Sequence, residues 1–384
     1  MTSLRQRVAP RRRSMFALVG AVLLAAGAGD ARAATEIRTS IGLPPSHPTV
    51  THALPAFSKA VEAESNGSLK IRGFTGGSLL TLKASKDGLK SGVADAVLVY
   101  APGYYPAEFK YGAFLASLSL LGSDPAATAG AMTEVNLGCK PCLAEFTAQG
   151  AVYTGSYSSP AFHLISRTPI SSVDQIKGLK ISTGSSQTWA RWVQFFEATP
   201  VGIPANEMYS GLNSGNIDAS IQSVSALKAY SLWDVAKGMT MVNLGTSTPA
   251  LTVYARSFWR DLNEDQRRAL LASAGATTAA QAVRYNSLDT EVAKAASGNG
   301  VTLAQPDAGL NAAHAKFVVQ DLEGFAKSSE EAGIAEARQL IDSYRGLIQK
   351  WTKLVAETGY DEARIAALYR REIFDKLDPK TFGM

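Results

Sequence analysis

Leu69-Lys70-Ile71-Arg72 runs into the turn Gly76-Gly77-Ser78 and a helical stretch, then closes on Leu89-Lys90-Ser91-Gly92-Val93-Ala94-Asp95-Ala96 and the apolar run Val97 to Val99. A second stretch keeps the same order. Leu179-Lys180-Ile181-Ser182 enters the turn Thr183-Gly184-Ser185-Ser186, and a helix follows to about Glu197. That unit closes on Leu212-Asn213-Ser214-Gly215-Asn216-Ile217-Asp218-Ala219. Each copy reads strand, Gly/Ser loop, helix, and a Ser-Gly C-cap leading into a strand. Alternating strand and helix signals predict an α/β fold with a mostly parallel sheet in each half. Solenoid repeats have periods of roughly 20–50 residues, so a repeat this widely spaced predicts two similar lobes instead. Loops at the carboxyl ends of such strands are where open α/β sheets bind ligands. Helices opening there favour an anionic group. Two lobes facing across a crevice make a clamp that closes on its ligand and expels water.

The chain opens on Arg5, Arg7, Arg11, Arg12 and Arg13, then an uncharged stretch from Ser14 to Gly29, then Ala31-Arg32-Ala33. A basic start, a short apolar run and a small-x-small site describe a signal peptide over 1–33, cleaved after Ala33. The run is shorter than the roughly 20 residues that span a bilayer. Arg12-Arg13-Ser14-Met15-Phe16 fits a twin-arginine signal as well as an ordinary basic leader. The leader contains much of the basic excess in a chain of 38 Lys+Arg and 33 Asp+Glu. What remains is balanced, which gives no electrostatic reason to expect nucleic acid. The mature chain is expected in the periplasm, without a membrane span of its own.

After the second unit the chain is more helical. Asn263-Glu264-Asp265-Gln266 reads as a capping box. Ile341, Tyr344, Ile348, Trp351 and Val355 form one apolar stripe, Gly359 ends that helix, and Asp361 starts another. Chemistry-bearing patterns are scarce. His47, His52, His163 and His314 are the only histidines, and none sits at metal-ligand spacing from a cysteine or carboxylate. Neither a metal nor a cofactor is expected, and no nucleophile elbow or phosphate loop occurs. Cys139-Lys140-Pro141-Cys142 contains both cysteines of the chain. A redox C-x-x-C follows a strand, whereas here a helix from Ala126 to Asn136 precedes it, so a structural disulfide is expected.

In this order the residues resemble the extracytoplasmic binding proteins of tripartite ATP-independent periplasmic (TRAP) transporters, of the C4-dicarboxylate-receptor type. The resemblance is carried by Pro44-Pro45-Ser46-His47-Pro48, Asn66-Gly67-Ser68-Leu69-Lys70-Ile71 and Gly76-Gly77-Ser78-Leu79. It continues through Asp174-Gln175-Ile176-Lys177-Gly178-Leu179-Lys180-Ile181, Glu207-Met208-Tyr209, Ser214-Gly215-Asn216-Ile217-Asp218 and Trp259-Arg260-Asp261-Leu262. It implies a two-lobed periplasmic-binding-protein fold, type II-like, with a long C-terminal helix bracing both lobes. Lobe 1 would hold 34–155, lobe 2 156–245, a return to lobe 1 246–310, and the bracing helices 311–384. It also implies a receptor that is not an enzyme, which captures a small organic solute, typically an organic acid. The implied partner is a permease of small and large subunits driven by an ion gradient.

One position departs from the family. An arginine that clamps the ligand carboxylate usually follows the lysine–hydrophobe pair, where this chain has Ser182. Ser182, Thr183 and Ser185 are therefore candidate hydroxyl and backbone donors, and Arg191 a candidate relocated charge. By position, Ser46, His47, Gly76, Gly77, Tyr100, Tyr104, Phe162, His163, Gln222, Thr246 and Thr248 are further candidate ligand contacts. Aromatics near these strand ends suit an aromatic or partly apolar ligand. The rival readings are an exported enzyme on the same scaffold and a periplasmic redox protein using Cys139 and Cys142.

Overall fold

A computed structural model describes residues 34–384; the leader expected over 1–33 lies outside the described residues. Two sheets organise the chain. The first has the order β2-β1-β3-β10-β4, with β1 at Thr35–Ile41, β2 at Leu69–Phe74, β3 at Ala96–Tyr100, β4 at Ala151–Tyr153 and β10 at Ala250–Ala255. The second has the order β11-β9-β5-β8-β6-β7. Its strands are β5 His163–Ser166, β6 Lys180–Ser182, β7 Thr199–Val201, β8 Ala219–Gln222, β9 Gly238–Thr240 and β11 Thr302–Ala304. β7 carries Pro200, which an edge strand tolerates because no neighbour needs its missing N–H.

Each sheet is mostly parallel, as expected, with a single reversed strand, β10 in the first and β5 in the second. β1 pairs parallel with β2 and β3, and β6 pairs parallel with β7 and β8. β10 runs antiparallel to β3 and β4, as β5 does to β8 and β9. β5 and β10 are the strands that enter each sheet from the other lobe, and a chain arriving from across the crevice inserts in the opposite direction.

The repeat is present, in a register the sequence did not suggest. The Leu-Lys-Ile of 69–71 is β2, whereas that of 179–181 is β6, whose counterpart is β1. Side chains show the equivalence. Asp95, ahead of β3, accepts from the Arg38 backbone N–H at 2.8 Å, and Asp218, ahead of β8, accepts from the Lys180 N–H at 2.9 Å. The Arg38 guanidinium reaches the Gly92 carbonyl at 3.0 Å, as the Lys180 ammonium reaches that of Gly215 at 2.7 Å. The Ser-Gly-x-x-Asp pattern is therefore a staple between neighbouring strands. The loop equivalent to Thr183–Ser186 is Gly42–His47, not Gly76–Ser78.

Helices tie the lobes together. Glu264–Ala295 opens on the expected capping box, with Asn263 accepting from the Gln266 N–H and Gln266 reaching back to the Asn263 N–H. Leu270 and Leu271 near its start belong to the first lobe's core, Leu288 and Val292 near its end to the second's. Ala308–Glu331 does the same in reverse, with Leu310 and Phe317 in the second lobe's core and Phe325 in the core beside the first sheet. The helices Ala337–Ala356 and Glu362–Glu372 pack on Pro125–Gly138 and Glu264–Ala295. Bracing thus falls chiefly to the two long helices of 264–331, the second of which opens the C-terminal segment expected in that role. Segment 246–310, expected wholly in the first lobe, gives β10 to the first sheet but β11 to the second. No helix among the described residues is long and apolar enough to cross a membrane.

Cys139 and Cys142 form a disulfide at the junction of Pro125–Gly138 and Lys140–Ala148, where the Cys139 sulfur accepts from the Cys142 N–H at 3.2 Å. The loop it closes is so short that little unfolded-state entropy is removed, less than the roughly 3 kcal/mol of a 15-residue loop. Serine at both positions also keeps a capping oxygen. Chemical denaturation of the double serine variant should show a loss of at most about 2 kcal/mol, with solute affinity unchanged.

Candidate solute-binding cleft

Two extended segments cross between the lobes side by side. The Tyr157 N–H donates to the Pro249 carbonyl at 3.2 Å, Ser159 N–H to Ser247 at 3.0 Å, and Phe162 N–H to Gly245 at 2.6 Å. Gly245 sits at φ +72°, and a Cβ there would lie 2.1 Å from the Ser119 carbonyl oxygen, so only glycine fits. The lobes also touch beyond the crossing. Ser46 donates to the Ala229 carbonyl at 2.6 Å, and Thr188 donates to the Ser117 carbonyl. The crevice is closed.

Between the crossing and these contacts lies a cavity of about 100 Å³, on a measure by which one water needs roughly 10–15 Å³. The first lobe supplies the loop after β1, with Leu43 and His47, and the end of β3, with Val99 and Tyr104. The second supplies the equivalent loop after β6, with Ser182, Gly184, Ser185 and Ser186, and the end of β8, with Gln222, Ser223 and Ser225. Val99 holds φ +72°, a costly conformation for a β-branched residue, and it does so on the cavity wall.

Aromatic rings form two opposed groups. Phe162 stacks on Trp189 at 4.8 Å, and the Trp189 indole N–H donates to the Leu244 carbonyl at 2.8 Å. The other group joins His47 to Tyr230 at 5.3 Å and to Tyr285 at 6.0 Å, with Tyr157 stacked 6.0 Å from Tyr285. His47 Nδ1 accepts from the Thr49 N–H at 3.1 Å, so its proton sits on Nε2, 3.1 Å from the Tyr285 hydroxyl. Burial pushes the His47 pKa down to about 3, so the ring is neutral at physiological pH. Burial likewise raises the Tyr104, Tyr157, Tyr230 and Tyr285 phenols.

Of the residues expected from sequence, His47, Tyr104, Phe162, Ser182, Ser185, Gln222 and Thr248 line the cavity. The others serve the frame. Ser46 fastens the lobes, and the Thr183 N–H is bonded to the Val201 carbonyl. Gly76 and Gly77 donate to the Leu43 and Ile41 carbonyls, buttressing the loop after β1 from behind, and open no helix directly. Tyr100 is fully buried in an aromatic group with Tyr105, Phe109 and Phe146. His163 Nδ1 is held by the Val242 carbonyl at 2.9 Å, and the Thr246 N–H donates to Ser119. Arg191 turns away from the cleft to pair with Asp321 at 2.5 and 2.9 Å, its guanidinium 4.1 Å above the Phe325 ring. The relocated charge clamp is therefore absent.

Sequence reasoning missed Tyr157, Trp189, Tyr230 and Tyr285. Trp189 stands in the first turn of the helix Gln187–Phe195, directly after the Gly/Ser loop, and that placement was a usable signal. Tyr285 arrives from the middle of the long bracing helix, and nothing local marks it.

Closure brings Gly103 of the first lobe against Ser185 of the second; a Cβ at 103 would lie 2.9 Å from the Ser185 carbonyl oxygen. Gly103→Leu is expected to hold the lobes apart, raising the Kd for any cleft solute at least tenfold while the melting temperature of the solute-free protein changes little. Calorimetric titration beside a thermal melt measures both.

Residues 39–324 match the bacterial extracellular solute-binding protein family 7. The fold is shared with a TRAP periplasmic solute-binding protein from Bordetella bronchiseptica with bound (R)- and (S)-mandelate, at TM-score 0.73 and 20% identity, covering 82% of this chain and 99% of that one. A TRAP solute-binding protein from Rhodoferax ferrireducens in complex with copurified benzoate gives TM-score 0.74 at 18% identity, covering 84% and 99%. In sequence, 109 residues are 29% identical to the 2,3-diketo-L-gulonate-binding periplasmic protein of Escherichia coli, spanning 28% of this chain and a third (33%) of that protein. With the family match running through both lobes, the chain belongs to the bacterial extracellular solute-binding protein family 7.

Proposed function

We propose that the chain is an extracytoplasmic receptor that captures a small organic solute between its lobes and delivers it to a TRAP permease of small and large membrane subunits. The observation that carries this reading is the closed cavity, walled by both lobes, by the crossing segments and by Tyr285 of the bracing helix. A wall drawn from all these parts is completed only on closure, which couples solute binding to the lobe movement a permease can sense. Mandelate and benzoate in the similar structures set the scale: one ring with a compact polar head. They support a small cyclic organic solute of that size.

The exported-enzyme and redox alternatives lack support. Family and fold neighbours are binding proteins. His47 accepts from Thr49 at Nδ1 and carries its proton on Nε2 against Tyr285, so it has no free basic nitrogen. The Cys139–Cys142 disulfide is buried at a helix junction, its cysteines 5% and 0% exposed, unlike the accessible sulfur of a redox motif.

Two measurements test the proposal. Calorimetry should give saturable 1:1 binding of a small solute recovered unchanged after hours with the protein; a chemical product would refute the receptor reading. N-terminal sequencing of the exported protein should begin Ala34-Thr35-Glu36, whereas a start at Met1 would refute cleavage.

A further inference from the structure

The cleft meets its solute without a formal charge. Among the described residues, no Lys, Arg, Asp or Glu lines the cavity. Its polar side chains are the hydroxyls of tyrosines, serines and Thr248, the Gln222 amide, and a His47 that stays neutral. The Ser223 and Ser225 hydroxyls lie 2.9 Å apart.

Two acids lie behind the wall. Asp289 accepts from the Ser225 N–H at 2.8 Å, directly behind a cavity residue. Glu207 stands beside Met208, another cavity residue, and its charge is felt at the Tyr104 phenol. No lysine or arginine lies close enough to perturb His47 or the cavity tyrosines. A carboxylate closed into this space would lose its hydration and gain no cation, facing two acids instead. An ammonium group would likewise lose its hydration and meet no anion on the wall itself.

From this lining we infer that the cleft selects a formally uncharged solute, an aromatic or cyclic body carrying hydroxyl, carbonyl or carboxamide groups, over the matching carboxylate. The body packs between the Phe162–Trp189 stack and the tyrosine group, and the neutral head exchanges hydrogen bonds with hydroxyls. This inference rests on the receptor reading above.

Calorimetric titration of the purified protein with matched probes separates the two. The series are benzoate, benzamide and benzylamine; mandelate and mandelamide; galacturonate and galactose. In the series that binds most tightly, the neutral member should exceed its charged counterparts at least tenfold. A carboxylate or amine binding as tightly as the neutral member would overturn the inference and leave the receptor reading standing. No binding by any probe at millimolar concentration would also overturn the inference, since the solute would then be none of these aromatic or cyclic bodies. In Ser182→Arg, which places a cation on the wall, the preference should reverse toward the acid; an unchanged order in the folded variant would contradict charge as the selecting feature.

Discussion

Trp189→Ala is expected to raise the Kd for the cleft solute at least 30-fold and to destabilise the solute-free protein by about 3–5 kcal/mol. Both effects come from one side chain. Trp189 is 4% exposed, stacks on Phe162, and holds the crossing segment through its indole N–H to Leu244. Removing it opens a void beside β5 and leaves the Leu244 carbonyl without that donor. The affinity loss has a separate origin, because buried aromatic anchors at the centre of a binding surface are worth about 2 kcal/mol or more. Trp189→Phe keeps a ring but not the N–H, and should recover much of the affinity. Chemical denaturation and titration on the same preparations check the two numbers independently. An alanine variant that binds normally would move the solute out of this cavity.

Arg191→Ala should cost about 3–5 kcal/mol of stability and change the solute Kd by less than threefold. The Asp321 side chain is 6% exposed and takes both hydrogen bonds of the Arg191 fork. Deleting the arginine strands a buried carboxylate, which is the expensive way to break such a pair. The pair joins the helix Gln187–Phe195 of the second lobe to Ala308–Glu331 as that helix runs toward the first. Lysine cannot reproduce a bidentate fork lying on Phe325, so Arg191→Lys should recover only part of the loss. In a double-mutant cycle with Asp321→Ala the two losses should be far from additive. A large rise in Kd with stability intact would instead give Arg191 a role in holding the solute.

Much of the frame was legible because it is written locally. The Ser-Gly-x-x-Asp elements, the capping box at Asn263 and the apolar stripe from Ile341 to Val355 each depend on neighbours within a few residues. The repeat was found but misaligned, since Leu-Lys-Ile occurs by coincidence on non-equivalent strands, β2 and β6. That slip put Gly76 and Gly77 in the cleft, whereas their lobe lines the cavity through Leu43 and His47. The bracing helix Glu264–Ala295 hid its role differently. Packed on several sides by both lobes, it buries small residues such as Ala274, Thr277, Thr278 and Ala279, so it shows no amphipathic stripe. The cavity wall was hardest to read: Tyr157, Trp189, Tyr230 and Tyr285 come from four distant segments, and only the closed fold brings their rings together.

The central claim is that the closed interlobe cavity is where the solute sits, and a crystal structure with the tightest-binding probe tests it most directly. The account predicts the probe's ring between the Phe162–Trp189 stack and the group of Tyr157, Tyr230 and Tyr285, with its head on hydroxyl groups. A probe seated on the outer surface, such as the groove between Cys139 and Leu340, with this cavity left to water, would contradict it.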